Sequence, residues 1–185
     1  MSHGFELAPP KGPAVPDNPA LARLSGWLDR FNRILLIISM VALIITSLVL
    51  TYSVVSRYFF KVATDWQDEA SVFMLVGVTF FCSAYVQSYR GHIGIEALGE
   101  LLPQSVNRVR LIVVDLFSML FCAFFSWKSW TLFHEALKEG QTTTSTFAPP
   151  LWIPYSIMAF GMTLLALQLL VQFAARLTNR RGNHD

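Results

Sequence analysis

The side chains able to do chemistry are few and far apart. Histidine occurs four times, as His3, His92, His134 and His184, and none stands in the middle of an apolar run, where axial ligation of a haem would need it. Cys82 and Cys122 do stand inside such runs. There a thiol behaves as a small apolar group, unlike the near-surface C-x-x-C of a thiol oxidoreductase. Two cysteines also cannot build a disulfide framework or a four-thiolate metal site. No Walker A loop, nucleophile elbow or H-E-x-x-H helix is present, and no ligands cluster at zinc-site spacing. These features point away from an enzyme and assign no catalytic, cofactor-binding or metal-ligating residue. The charges worth attention are Asp115 and Lys128, which interrupt an apolar run, and Arg57, which precedes Asp68 and Glu69. An intramembrane charge is a functional candidate by default, because burying it unpaired is costly. Asp115 and Lys128 are 13 residues apart, about 20 Å along a helix, too far to pair with each other. Asp115 is expected near the cytoplasmic end of its helix and Lys128 near the outer end. Both could reach an interface by snorkelling. Their roles are then structural or subunit contacts, with ion translocation as the alternative.

The elements that must position these residues follow from composition. Of 185 residues, 54% are apolar and 14% charged, and the net charge is +2. Soluble domains average about 45–50% and about 25% respectively. A disordered chain is excluded, an ordinary soluble domain is disfavoured, and the charge is too balanced for electrostatic nucleic-acid binding. Four runs carry the apolar residues: Ile34–Ser56, Ala70–Tyr89, about Leu111–Phe133, and Leu151–Ala175. Each is long enough as a helix to cross the roughly 30 Å hydrocarbon core. Residues 1–26 form a proline-rich tail and lead-in, residues 27–176 the membrane domain, and residues 177–185 a basic tail. Helix is expected to begin between Pro19 and Leu24. A cleaved signal peptide is the rival for the first run, which starts late and is long for one. Ten basic residues lie in the N-tail, the second connection and the C-tail, against three in the first and third connections. The positive-inside rule therefore puts both termini in the cytoplasm. The fold expected is an all-α integral membrane protein of four transmembrane helices.

The connections add detail. Thr64-x-x-Gln67 fits a capping box opening helix 2, with Asp65, Asp68 and Glu69 in a first turn that favours negative charge. Tyr58 and Trp66 suit the membrane interface. One reading stops at a capped helix with aromatic anchors. The sharper one pairs Arg57 with Asp68 or Glu69, pins the outer ends of helices 1 and 2, and presents Trp66 to a partner. Between helices 2 and 3, Leu98, Leu101, Leu102, Val106 and Val109 recur at helical spacing with polar residues between them. This predicts an amphipathic interfacial helix ended by Pro103. His92, beside Gly91 and Gly94, reads as a loop or cap residue. Helix 3 is expected from about Pro103 to about Lys138, and Pro149 and Pro150 set up helix 4.

Three segments in this order resemble a known family. They are Arg57-Tyr58-Phe59 with Trp66-x-Asp68-Glu69; Arg90-Gly91-His92-Ile93 running to Leu102-Pro103; and Pro150-Leu151-Trp152-Ile153-Pro154-Tyr155 followed by Gly161. Over about residues 27–175 the chain resembles the small, Q-type (DctQ-like) membrane subunit of tripartite ATP-independent periplasmic (TRAP) transporters. Where that family often has proline before the glycine of helix 4, this chain has Phe160. The resemblance implies a bacterial inner-membrane, multi-pass subunit. It would scaffold a large multi-span permease subunit and help dock a periplasmic substrate-binding protein for sodium-coupled uptake of an organic anion, commonly a carboxylate. Arg57, Trp66, Asp68, Glu69, His92, Asp115 and Lys128 are its candidate partner-interface or structural residues. No cofactor is implied. The alternative is a quinone-binding membrane anchor of a redox complex.

Overall fold

Proline is tolerated in the first helical turn, where its missing N–H is not needed, and the first helix opens on one. The computed structural model describes residues 19–89 and 104–178. It holds four helices: α1 Pro19–Phe60, α2 Asp65–Ser88, α3 Gln104–Glu139 and α4 Trp152–Thr178. All four are long and apolar enough to span a membrane. The interfacial helix expected before Pro103, and His92 with it, lie outside the described residues.

The helix ends have identifiable causes. Lys61 takes a left-handed φ of 50° directly after α1, the backbone state that ends many helices. Gly140, at φ 62°, closes α3. The Gln141 N–H then donates to the Ala136 carbonyl at 3.1 Å, a Schellman-type closure for which glycine carries no Cβ penalty. The capping box expected at Thr64 does not form. Thr64 holds the N-cap position without a side-chain cap bond, because Arg57 occupies its hydroxyl. Only the Thr64 carbonyl serves the helix, accepting from the Gln67 and Asp68 N–H groups at 3.1 and 3.2 Å.

The helices stand in the order α1–α2–α4–α3. α1 packs mainly on α2, α2 also packs on α4, and α3 packs on α4. α1 touches α4 over a shorter stretch, where Leu35, Ala84 and Leu164 form a small three-helix core. Phe160 sets its ring edge-on to both Phe31 and Phe81, each at 6.2 Å. Phe160 thus joins α1, α2 and α4.

The buried positions of α1 recur every seven residues. Asn32, Ser39, Thr46 and Ser53 are all buried, and Leu28, Leu35 and Ser56 continue the seam. A seven-residue repeat is the signature of helices packed at a small left-handed angle. Small and polar side chains fill it because lipid gives apolar groups no reason to leave the outside, whereas close packing and polar contacts favour association. On α3 the same repeat runs through Asp115, Cys122, Ser129 and Ala136, with Met119, Ser126 and Phe133 beside it. This is the α4-facing side: the Ser126 and Thr163 hydroxyls are 2.9 Å apart, and the Trp130 Nε1–H donates to Thr163 at 3.0 Å. α2 and α4 are joined by Gln87 and Gln172, which exchange hydrogen bonds of 3.0 and 2.8 Å. They also cross closely at Gly161, where a Cβ would meet the Phe80 backbone.

Candidate functional site

Both short connections meet at one end of the bundle. In the first, α1 delivers Ser53 and Arg57 one turn apart, and the 61–64 turn brings α2 back antiparallel. Asp68, in the first turn of α2, then accepts from both. The Ser53 hydroxyl donates to Oδ1 at 3.0 Å and the Arg57 guanidinium to Oδ2 at 2.6 Å. Arg57 also donates from Nε and Nη2 to the Thr64 hydroxyl, at 3.2 and 2.7 Å. One guanidinium therefore ties the last turn of α1, the turn residue Thr64 and the first turn of α2. The pair is open to its surroundings, with side chains 59% and 45% exposed. An exposed pair contributes about 0–1 kcal/mol, so it sets the angle of the corner more than the stability of the bundle.

Glu69 takes a different partner. Its Oε1 accepts from the Thr143 hydroxyl at 2.7 Å, which joins the corner to the 140–151 connection. That connection is a compact hairpin. Thr142 and Pro150 form an antiparallel bridge, the Thr143 N–H donates to the Pro149 carbonyl, and the Leu151 N–H donates to Gln141. The Ser145 hydroxyl accepts from the Ala148 N–H at 3.1 Å, steadying a non-glycine residue at φ 45°. Of the two acids considered for Arg57, the structure selects Asp68 and gives Glu69 to the loop. Trp66 stays half-exposed at the head of α2, and Tyr58, Phe59 and Phe60 are exposed at the end of α1.

Asp115 and Lys128 lie on opposite sides of α3. Asp115 is half-buried on the seam toward α4, and Lys128 is exposed on the other side, its ammonium 5.2 Å from the centre of the Trp127 ring. The neighbours of Lys128 fix its level against α4. Ser126 and Trp130 bracket it, and both bond Thr163, the midpoint of the uncharged run Leu151–Ala175. Lys128 is therefore level with the middle of α4. From that level α3 runs 11 more residues to Glu139 and α4 runs 11 back to Trp152, so the two helices end together.

Several contributors were not singled out by sequence. Ser53 and Thr143 are common polar residues whose roles depend on which helix ends meet, and Thr64 reads from sequence only as a cap. The small-polar heptad of α1 was the available signal for the seam containing Ser53. Among the described residues, no group of three or more His, Cys, Asp or Glu side chains is placed to hold a metal.

The site is thus a junction of two helix ends and a loop. The family profile described as "Tripartite ATP-independent periplasmic transporters, DctQ component" matches residues 46–179. No curated protein and no solved structure matches. The matched stretch takes in the Arg57–Asp68 corner, the 140–151 hairpin and all of α2, α3 and α4, and leaves out residues 19–45 of α1. On that match the chain belongs to the DctQ family, the small membrane component of TRAP transporters.

Proposed function

We propose that the chain acts as a non-catalytic scaffold. It packs against the large permease subunit, widens its footprint in the bilayer, and helps dock the periplasmic binding protein during sodium-coupled uptake of an organic anion such as a carboxylate. Both termini then lie in the cytoplasm of a bacterium, and the Arg57 corner with the 140–151 hairpin faces the periplasm. The observation that carries this reading is the corner itself. Arg57, Asp68 and Thr64 fix two helix ends, and Glu69 with Thr143 fixes the loop beside them, while Trp66 and the guanidinium stay open. A surface held rigid yet uncovered is pre-organised for a partner, because less freedom is lost on binding.

The test is recovery of the chain from native membranes in mild detergent with identification of what accompanies it. A large multi-span permease in near-equal amount is expected. Uptake should then fall in Arg57→Ala and Glu69→Ala strains while the subunit remains in the membrane. Recovery of the chain alone, or with an oxidoreductase, would overturn the scaffold role. Unchanged assembly and uptake in both variants would remove the corner from it.

A further inference from the structure

Two helices present broad apolar surface, and the two surfaces differ in kind. On α1 between Ile34 and Leu50, no exposed large apolar side chain is aromatic. On α3 between Phe117 and Trp130, six of the seven are: all but Leu120 are Phe or Trp. α3 also carries a second seven-residue seam, opposite the one packed on α4. It runs Phe117, Phe121, Phe124, Lys128, Thr131, Glu135, and every member is exposed. Seams of this spacing are how helices pair at small crossing angles.

Lys128 says what covers that seam. It is level with Thr163, halfway along an uncharged run of 25 residues. The nearest end of that run is about 18 Å away at 1.5 Å per residue. A lysine stem reaches about 6 Å, so its ammonium stops well short of that end. Its neighbour on the chain is the Trp127 face at 5.2 Å, which offers an attraction of about 2 kcal/mol once desolvated. A charge exposed at mid-depth costs more than that and calls for an opposite charge in reach. Toward the connections the same side continues into a groove of about 730 Å³ whose lining includes Thr131, His134, Glu135, Lys138 and Glu139. There acids and bases alternate.

We infer that the outward face of α3, from Phe117 to Glu135, is where the chain meets the large permease subunit. The occupant is a membrane-spanning helix that sets a carboxylate against Lys128 at mid-depth and receives Phe121 and Phe124 as knobs. The aliphatic face of α1 is left to lipid. This rests on the scaffold reading above and adds to it the face, the depth and the charge of the contact.

The test uses the whole transporter in its membrane. A photo-crosslinking amino acid placed at position 121, 124 or 131 should give an adduct with the large subunit, and one at position 37 or 44 should give lipid adducts only. Lys128→Glu should lower co-purification of the large subunit about tenfold or more. Lys128→Arg should retain most of it, and a carboxylate-to-lysine change in the partner should restore the Lys128→Glu pair. Adducts from α1 positions alone, lipid adducts alone from α3, or undiminished recovery with Lys128→Glu would each overturn the assignment of this face and leave the subunit reading intact. Absence of any large subunit from the unmodified preparation would overturn both. Crosslinking needs no destabilising substitution, so it stands even if Lys128→Glu fails to accumulate.

Discussion

Replacing Gly161 by alanine should do measurable damage, although alanine is the better helix former. A Cβ at this position would lie 2.7 Å from the Phe80 Cβ and 3.0 Å from both the carbonyl carbon and oxygen of Phe80. Two of those neighbours are backbone, so no side-chain rotation relieves the clash, and α2 and α4 must part by about 1 Å to restore ordinary contact. Overpacking of this kind costs about 1–3 kcal/mol, and a gap of about 1 Å also forfeits up to half of each pairwise attraction along the seam. Against this, glycine to alanine returns about 1 kcal/mol of helix propensity. The net loss is about 2 kcal/mol, a change of roughly thirtyfold in the folded-to-unfolded ratio. Gly77 supplies the control on the same helix pair. Its added Cβ would sit 3.7 Å from Ile157 Cγ2, ordinary contact, so Gly77→Ala should be neutral or stabilising by up to about 1 kcal/mol. The assay is reversible unfolding of the purified subunit in mixed micelles, with helix content as the readout. Equal stability of the two variants would refute the close α2–α4 crossing. So would a larger loss for Gly77→Ala.

Other perturbations separate stability from contact. A double-mutant cycle over Arg57→Ala and Asp68→Ala should give a coupling below about 1 kcal/mol in the isolated subunit, measured by the same unfolding assay. Glu69→Ala should speed amide exchange at Thr143 and Leu151, whose N–H groups hold the hairpin, while Glu69→Gln, which can still accept from Thr143, should not. Gln172→Leu removes both bonds to Gln87 and should destabilise by about 1–2 kcal/mol, near the upper end for interhelical hydrogen bonds in membranes. Trp130→Phe loses the donor to Thr163 but leaves the Ser126 contact, so its cost should be about 0.6 kcal/mol.

The sequence made the helices legible because length and apolarity are enough to mark a span. Pro19, the Pro149-Pro150 pair and the start near Thr64 gave ends that agree with the structure within a residue or two. It did not show which side of each helix packs. In lipid the apolar period carries little of that information, and the useful signal was the spacing of Asn32, Ser39, Thr46 and Ser53, small polar residues that a search for apolar stripes passes over. Thr64 misled for a related reason. A capping box is local, whereas the Thr64 hydroxyl was claimed by Arg57 from the preceding helix. The opposition of Asp115 and Lys128 was available in their spacing, since 13 steps of about 100° leave them about 140° apart on a helix. The level of Lys128 against α4 was not, because it depends on which residues of the two helices meet.

The helix order has a consequence for what the chain can do unaided. Three helices pack side by side around Leu35, Ala84 and Leu164, and α3 is added outside that trio along one edge of α4. A permeation route needs a ring of elements with water or ligand at its axis. Among the described residues these four stand as a row, and on the scaffold reading proposed above such a row borders a route whose remaining sides the large subunit supplies.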